Sequence, residues 1–313
     1  MESRGADDLR IVSLLPSATE IAVALGLGDN LVGRSHECDF PAAVTALPVC
    51  TRTRLEKGLR SAEIDRRVQE IVTQGLSMYE VDAELLRSLK PDIILTQTAC
   101  AVCAVTPDDL ETALADWMGE PPELISTAPD TLDDVWNDIS SVGAAAHCNV
   151  KAETVVRDLR GRLNTLVGKR TAGTHKPRIA AIEWFDPLMV AGNWIPELIR
   201  IADGKPLFAK PGEHSDFLDW DELVAADPDL LILMPCGYQI PQSLADIEAV
   251  AGDPRWERMR AVRESQVYIA DGHHFFNRPG PRLVESAEIV AEIIAAWRGE
   301  AETGSQHWMR YSG

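Results

Sequence analysis

Glu84-Leu85-Leu86-Arg87-Ser88-Leu89-Lys90-Pro91-Asp92-Ile93-Ile94-Leu95 reads as the end of a helix, a Pro-Asp turn and the start of an apolar strand. The same order returns at Glu222-Leu223-Val224-Ala225-Ala226-Asp227-Pro228-Asp229-Leu230-Leu231-Ile232-Leu233. Upstream of each copy stands a second matched pair, Arg10-Ile11-Val12-Ser13-Leu14 and Arg178-Ile179-Ala180-Ala181-Ile182. The offsets between partners differ, so topology repeats while the insertions do not. Strands alternating with helices imply mainly parallel sheets, and the duplication predicts two α/β, Rossmann-like lobes.

The first strand runs into Pro16-Ser17-Ala18-Thr19-Glu20, which reads as a helix start with Ser17 as cap and Glu20 reaching back, before Gly26 ends the helix. Further strands are expected at Leu31-Val32-Gly33-Arg34 and Ile93-Ile94-Leu95-Thr96. Between the lobes, Val155, Val156, Leu159, Leu163, Leu166 and Val167 keep helical spacing within residues 150–169, a rod of roughly 30 Å at about 1.5 Å per residue. The expected organisation is an N-terminal α/β lobe over 9–148, a single long linking helix over 149–170, a C-terminal α/β lobe over 177–298 and a flexible tail over 299–313. A helical hinge of this kind limits closure on a ligand.

The 313 residues carry 30 Lys and Arg against 49 Asp and Glu, a formal charge of −19, which argues against nucleic acid and anionic membranes as partners. No run reaches the roughly 18 apolar residues of a membrane helix, so the chain is not membrane-embedded. Met1-Glu2-Ser3-Arg4-Gly5-Ala6-Asp7-Asp8 lacks the basic and apolar regions of a secretory signal. A cytoplasmic location is expected, with a periplasmic one the alternative if a leader has been trimmed. The six cysteines are expected as reduced thiols, since a chain of this size needs no disulfide scaffold.

In open parallel sheets ligands bind at the carboxyl ends of strands. The first lobe offers Pro16 and Ser17, then Arg34, His36 and Cys38, then Gln97 with Cys100 and Cys103. The second offers Glu183, Trp184 and Phe185, with Trp194 shortly after, then Gly237 and Tyr238, then His273, His274, Phe275, Phe276, Asn277 and Arg278. The aromatics either line a wide cleft or fill the core. A metal site built from Cys38, Cys100, Cys103 and His36 would pair a Cys-x-x-Cys with a neighbouring loop. The alternatives are a redox dithiol or buried, inert thiols. An enzyme reading would use these loops as a catalytic metal centre with Glu37 or Glu183 as base. No Gly-x-Ser-x-Gly elbow, Walker loop, Rossmann glycine fingerprint or His-Glu-x-x-His supports it, so a binding protein, not an enzyme, is expected.

The sequence resembles the cobalamin-binding, periplasmic-binding-protein-like group of ABC-transporter solute-binding proteins. The resemblance is carried by Arg10-Ile11-Val12-Ser13-Leu14-Leu15-Pro16-Ser17-Ala18-Thr19-Glu20, Gly28-Asp29-Asn30-Leu31-Val32-Gly33-Arg34, Leu89-Lys90-Pro91-Asp92 and Asp227-Pro228-Asp229. It is similar within that group to a leaderless subgroup bearing His36-Glu37-Cys38-Asp39, Cys100-Ala101-Val102-Cys103, Met234-Pro235-Cys236-Gly237 and Phe276-Asn277-Arg278-Pro279-Gly280-Pro281. The resemblance implies two lobes on a helical backbone and binding, without turnover, of a cobalamin-type corrinoid in the cleft between them. The wider family also carries siderophores, haem and metal chelates. It further implies that Glu84 and Glu222 dock to an ABC transporter permease, although acidic residues at helix starts also serve as helix-dipole partners.

Overall fold

A computed structural model describes residues 8–56, 58–74, 76–98, 105, 110, 114, 115, 117, 119–168, 175–301 and 304–312. The chain divides into two compact units, one of Met1–Leu59, Arg66–Pro129 and Asp133–Asp158, the other of Arg60–Asp65, Asp130–Leu132 and Leu159–Gly313. The long helix Asn149–Gly168 carries the chain from the first into the second. The last two residues of the expected linking helix, Lys169 and Arg170, lie outside the described residues.

In the first unit, β1 (Ile11–Ser13), β2 (Leu31–Arg34), β5 (Ile93–Gln97) and β6 (Glu123–Thr127) form a parallel sheet in the order β2-β1-β5-β6. A separate antiparallel pair joins β3 (Thr51–Thr53) to β4 (Tyr79–Val81). Val12, Leu14, Cys50, Leu86 and Ile94 centre the core under this sheet. In the second unit, β7 (Arg178–Trp184), β10 (Leu230–Leu233) and β11 (Val267–Ala270) run parallel, flanked by the short strands β8 (Met189–Val190) and β9 (Lys205–Pro206). All four residues of β10 and of β11 are buried, the apolar run expected of a strand covered on both faces.

The repeated motif has one physical basis in both units. Asp82 caps the helix Ala83–Leu89 by accepting from Leu85 N, and Asp219 caps Trp220–Ala226 by accepting from the N–H groups of Asp221 and Glu222. Both helices stop at a left-handed residue, Lys90 at φ 45° and Asp227 at φ 43°. Proline then prevents helix from resuming. The aspartate that follows turns back to the first strand of its unit. Asp92 Oδ2 accepts from Arg10 N at 2.9 Å, and Asp229 Oδ2 accepts from Arg178 N at 2.7 Å. In return Asp92 N donates to Arg10 O at 2.8 Å and Asp229 N to Arg178 O at 2.9 Å. The Pro-Asp turn thus sets the register between the first strand of each unit and the strand that follows the turn.

Two expectations are corrected. The helix Pro16–Ala24 has Leu15 as its N-cap and no side-chain cap. Proline at the first helical position has no N–H to satisfy and presets φ, while Ser17 and Glu20 are buried instead of reaching back. The tail is not loosely held at its end. β12 (Trp308–Tyr311) adds antiparallel to β11, Trp308 is 2% exposed, and its indole N–H donates to Glu292 Oε2 at 2.8 Å. Burial of one tryptophan outweighs the polar composition of the residues leading to it.

Candidate functional site

At the strand ends of the first unit the polar groups mostly hold one another. The Arg34 guanidinium donates through Nη1 to the carbonyls of Ser35 and Cys38, each at 3.0 Å, and through Nη2 to Thr45 O at 3.1 Å. It clamps its own loop. His36 Nδ1 lies 2.8 Å from Thr51 Oγ1, whose hydroxyl donates to Ser35 Oγ at 3.0 Å. Pro16 and Ser17 open the first helix, and Gln97 closes β5 at 6% exposure.

Cys38 departs from the expected ligand role. Its thiol is fully buried, 3.0 Å from Thr19 Oγ1 and within 3.9 Å of Ser13 O, so it packs between the first strand and the first helix instead of facing outward. Among the described residues, no group of three or more metal-ligand side chains includes His36 or Cys38. Cys100 and Cys103 lie outside the described residues.

The second unit assembles a denser constellation. Gly237, at φ 77°, allows the tight turn in which Tyr238 N donates to Pro235 O at 3.0 Å. The loop after β11 presses on that turn. A Cβ on Gly272 would lie 2.2 Å from Pro235 O, so only glycine fits. His273 N donates to Tyr238 O at 3.0 Å, and Asn277 Nδ2 donates to Met234 O and Gly272 O at 3.2 and 2.9 Å. These bonds bring the strand ends of β10 and β11 into one rim.

Asp271 organises the histidines. Its Oδ1 accepts from His273 N at 3.0 Å and His274 N at 2.9 Å, and its Oδ2 lies 2.7 Å from His274 Nδ1. A carboxylate accepts, so His274 carries a proton on Nδ1. His273 Nε2 lies 3.0 Å from Arg278 Nη2, an obligate donor that is itself 6% exposed. The two imidazoles meet edge to face at 4.6 Å. Trp184 stands beside this rim in a T-shaped contact with Tyr238, ring centroids 5.5 Å apart. Glu183 accepts from Ser215 Oγ at 2.8 Å. The Tyr238 hydroxyl lies 3.4 Å from Asp246 Oδ2, and burial together with that carboxylate raises its pKa.

Most of the expected aromatic lining is structural. Phe185 and Phe276 are buried to 1% and 0%, and Trp194 donates its indole N–H to Phe276 O at 2.6 Å, tying the helix Ile195–Ile201 to the loop. Phe275 is sandwiched by contacts with His307 and the Arg282 guanidinium. Trp184 is the expected aromatic that keeps partial exposure. Of the residues that position the site, Ser215 carries no signal in the sequence, and Asp271 stands in the strand-end segment without a role assigned from sequence. The Asp-Gly-His-His string at a strand end was a usable signal, because aspartate there caps the N–H groups two and three residues on.

Glu84 and Glu222 occupy matching places, each exposed in the first turn of its aspartate-capped helix. No helix among the described residues is long and apolar enough to cross a membrane.

Comparison with known proteins agrees with this architecture. The uncharacterized ABC transporter substrate-binding lipoprotein YvrC of Bacillus subtilis is 25% identical over 293 residues, covering 91% of this chain and 79% of that one. The vitamin B12-binding protein of Vibrio parahaemolyticus is 24% identical over 290 residues, covering 90% and 88%. A periplasmic heme-binding protein of Pseudomonas aeruginosa shares the fold, with a TM-score of 0.70 at 20% identity over 97% of this chain and 98% of that one. A family profile described as periplasmic binding protein matches residues 11–273, and with two parallel-sheet α/β units linked through one long helix the chain belongs to that family.

Proposed function

We propose that the protein is a solute-binding protein for a cobalamin-type corrinoid, which it binds at the strand carboxyl ends without turning it over. The observation that carries this reading is the rim formed by Trp184, Tyr238, His273, His274 and Arg278. A corrin is a broad, largely apolar disc fringed with amide arms. An indole edge supplies apolar contact, while a buried guanidinium and two imidazoles supply hydrogen bonds to carbonyl-rich arms. Relatives that cover most of the chain and are named vitamin B12-binding proteins support the same ligand class. Haem is the second reading, favoured by the fold shared with the heme-binding protein.

In this proposal Glu84 and Glu222 present a matched pair of carboxylates to basic residues of an ABC transporter permease. The name of the Bacillus subtilis relative supports a transporter partner. The relatives also favour action in the periplasm or at the outer face of a membrane over the cytoplasmic location first expected. Isothermal titration with cyanocobalamin, cobinamide, haem and a ferric siderophore tests the ligand. Saturable binding of the corrinoids supports the proposal. Binding of another chelate with none of the corrinoids overturns it.

A further inference from the structure

The loop that carries His273, His274 and Arg278 is held from outside by the C-terminal strand. β11 and β12 pair as far as Ala270 opposite Trp308, and the ladder runs one bond further, with Asp271 N donating to His307 O at 2.9 Å. Asp271 is also the residue whose Oδ1 accepts from the N–H groups of His273 and His274. One backbone bond therefore fixes the aspartate that fixes the loop. A second contact lies four residues on. The His307 ring meets the Phe275 ring at 4.7 Å and 66°, and the Arg282 guanidinium lies over the same ring at 5.2 Å. Phe275 is 6% exposed, and its N–H donates to Asp271 O at 3.3 Å. Edge contact between aromatic rings adds to what their burial contributes. His307 is itself held firmly. Its N–H donates to Ser305 Oγ at 3.1 Å, and Ser305 N donates to Trp308 O at 2.9 Å. Trp308 is buried and bonded to Glu292, and Arg310 Nη2 donates to the Tyr268 hydroxyl at 3.0 Å. The family profile matches residues 11–273, and this strand lies beyond that match.

We infer that His307 is a positioning residue for the solute rim. Its carbonyl on Asp271 and its ring on Phe275 hold the 271–278 loop in the arrangement that receives the solute. The inference rests on the solute reading above and gives the C-terminal strand a part in it. Burial of Trp308 attaches the strand, and His307 passes that attachment to the loop. Removing the imidazole leaves the backbone bond in place and takes one wall from Phe275. The empty loop then samples more arrangements, and ordering it on binding costs affinity.

Amide hydrogen exchange of the ligand-free full chain, followed by mass spectrometry, tests this without a ligand. His307→Ala should raise exchange in the 271–278 segment by about threefold or more and leave β10 unchanged. Calorimetry with cobinamide, cyanocobalamin and haemin supplies the binding arm. For whichever chelate the parent binds, His307→Ala should weaken affinity by about threefold or more, the range set by loss of one aromatic contact. His307→Phe keeps a ring against Phe275 and should bring both readouts back to the parent's. Tyr311→Ala is the stability control, because it truncates the far end of β12, opposite Val267 and away from the rim. It should lower the melting temperature and leave affinity unchanged below the melting transition. Unchanged exchange at 271–278 in His307→Ala overturns the inference whatever binds. Faster exchange with parent-like affinity also overturns it, as does equal weakening by Tyr311→Ala or failure of His307→Phe to restore the readouts. A parent that binds none of the three chelates overturns the solute reading instead, and the exchange result then decides the positioning role alone.

Discussion

Replacing Asp138 by asparagine is expected to stabilise the protein at alkaline pH and to do little at acidic pH. Asp138 lies on the helix Leu132–Ala145, one turn after Asp134. Its carboxylate accepts from the Ala128 N–H, while Oδ2 is buried with no hydrogen-bond partner among the described residues. Burial first, and then the Asp134 charge, push its pKa from 3.8 up to about 7, against the weaker opposing pull of the Ala128 bond. Between the two values the folded chain holds a proton that the unfolded chain releases. The stability contributed by that proton is therefore fully present below about pH 4 and lost as pH rises through about 7. A difference of about 3 units is worth at most ~4 kcal/mol. Partial solvent access screens it to about 1–3 kcal/mol. Asparagine stays neutral and can keep its oxygen on the Ala128 N–H. Urea unfolding at pH 3 and pH 8 reads the effect as a shift of midpoint at constant slope. The variant should gain about 1–2 kcal/mol at pH 8 and nearly nothing at pH 3, where the carboxyl is protonated in both states. An equal change at both pH values would refute the reasoning.

The Pro-Asp turns give a paired prediction. Asp92→Ala should cost about 1 kcal/mol and Asp229→Ala about 2–3 kcal/mol in urea unfolding, because Asp229 also holds Arg260 and His175. Burial raises the Asp229 pKa, but the Arg178 N–H, Arg260 and His175 together leave it lowered. Its contribution is present above the ordinary carboxylate range and lost as pH falls below it, so the gap between the two variants should close in acid. Trp308→Ala should cost about 3–5 kcal/mol by thermal melting, and no change would mean that β12 is not part of the fold. Gly272→Ala should distort the rim, because its Cβ meets Pro235 O, and should weaken corrinoid binding at least tenfold by calorimetry. Parent-like affinity would show that the loop after β11 is not part of the site.

The sequence was most legible where backbone geometry and residue type coincide. Proline, aspartate and an apolar run state a helix stop, a register bond and a strand, and both copies of that string do this in the structure. It was least legible where the direction of one side chain decides the outcome. Strand ends place Phe185 and Trp184 next to each other, yet one fills the core and the other stays partly exposed. Nothing in spacing alone separates them. Cys38 looked available because its loop leaves a strand end beside the Cys-x-x-Cys loop, but Thr19, nineteen residues earlier, holds it inward. The tail looked loose because Gly, Ser, Glu and Gln dominate it, yet the four residues Trp308–Tyr311 pair with β11 and attach it to the sheet.

The central claim is that the carboxyl ends of β7, β10 and β11 hold a corrinoid. A crystal structure of the full chain grown with cobinamide tests it most directly. The account predicts the corrin ring against Trp184, with the 271–278 loop beneath it. A corrinoid seated away from these strand ends, in crystals that hold it at full occupancy, would contradict it.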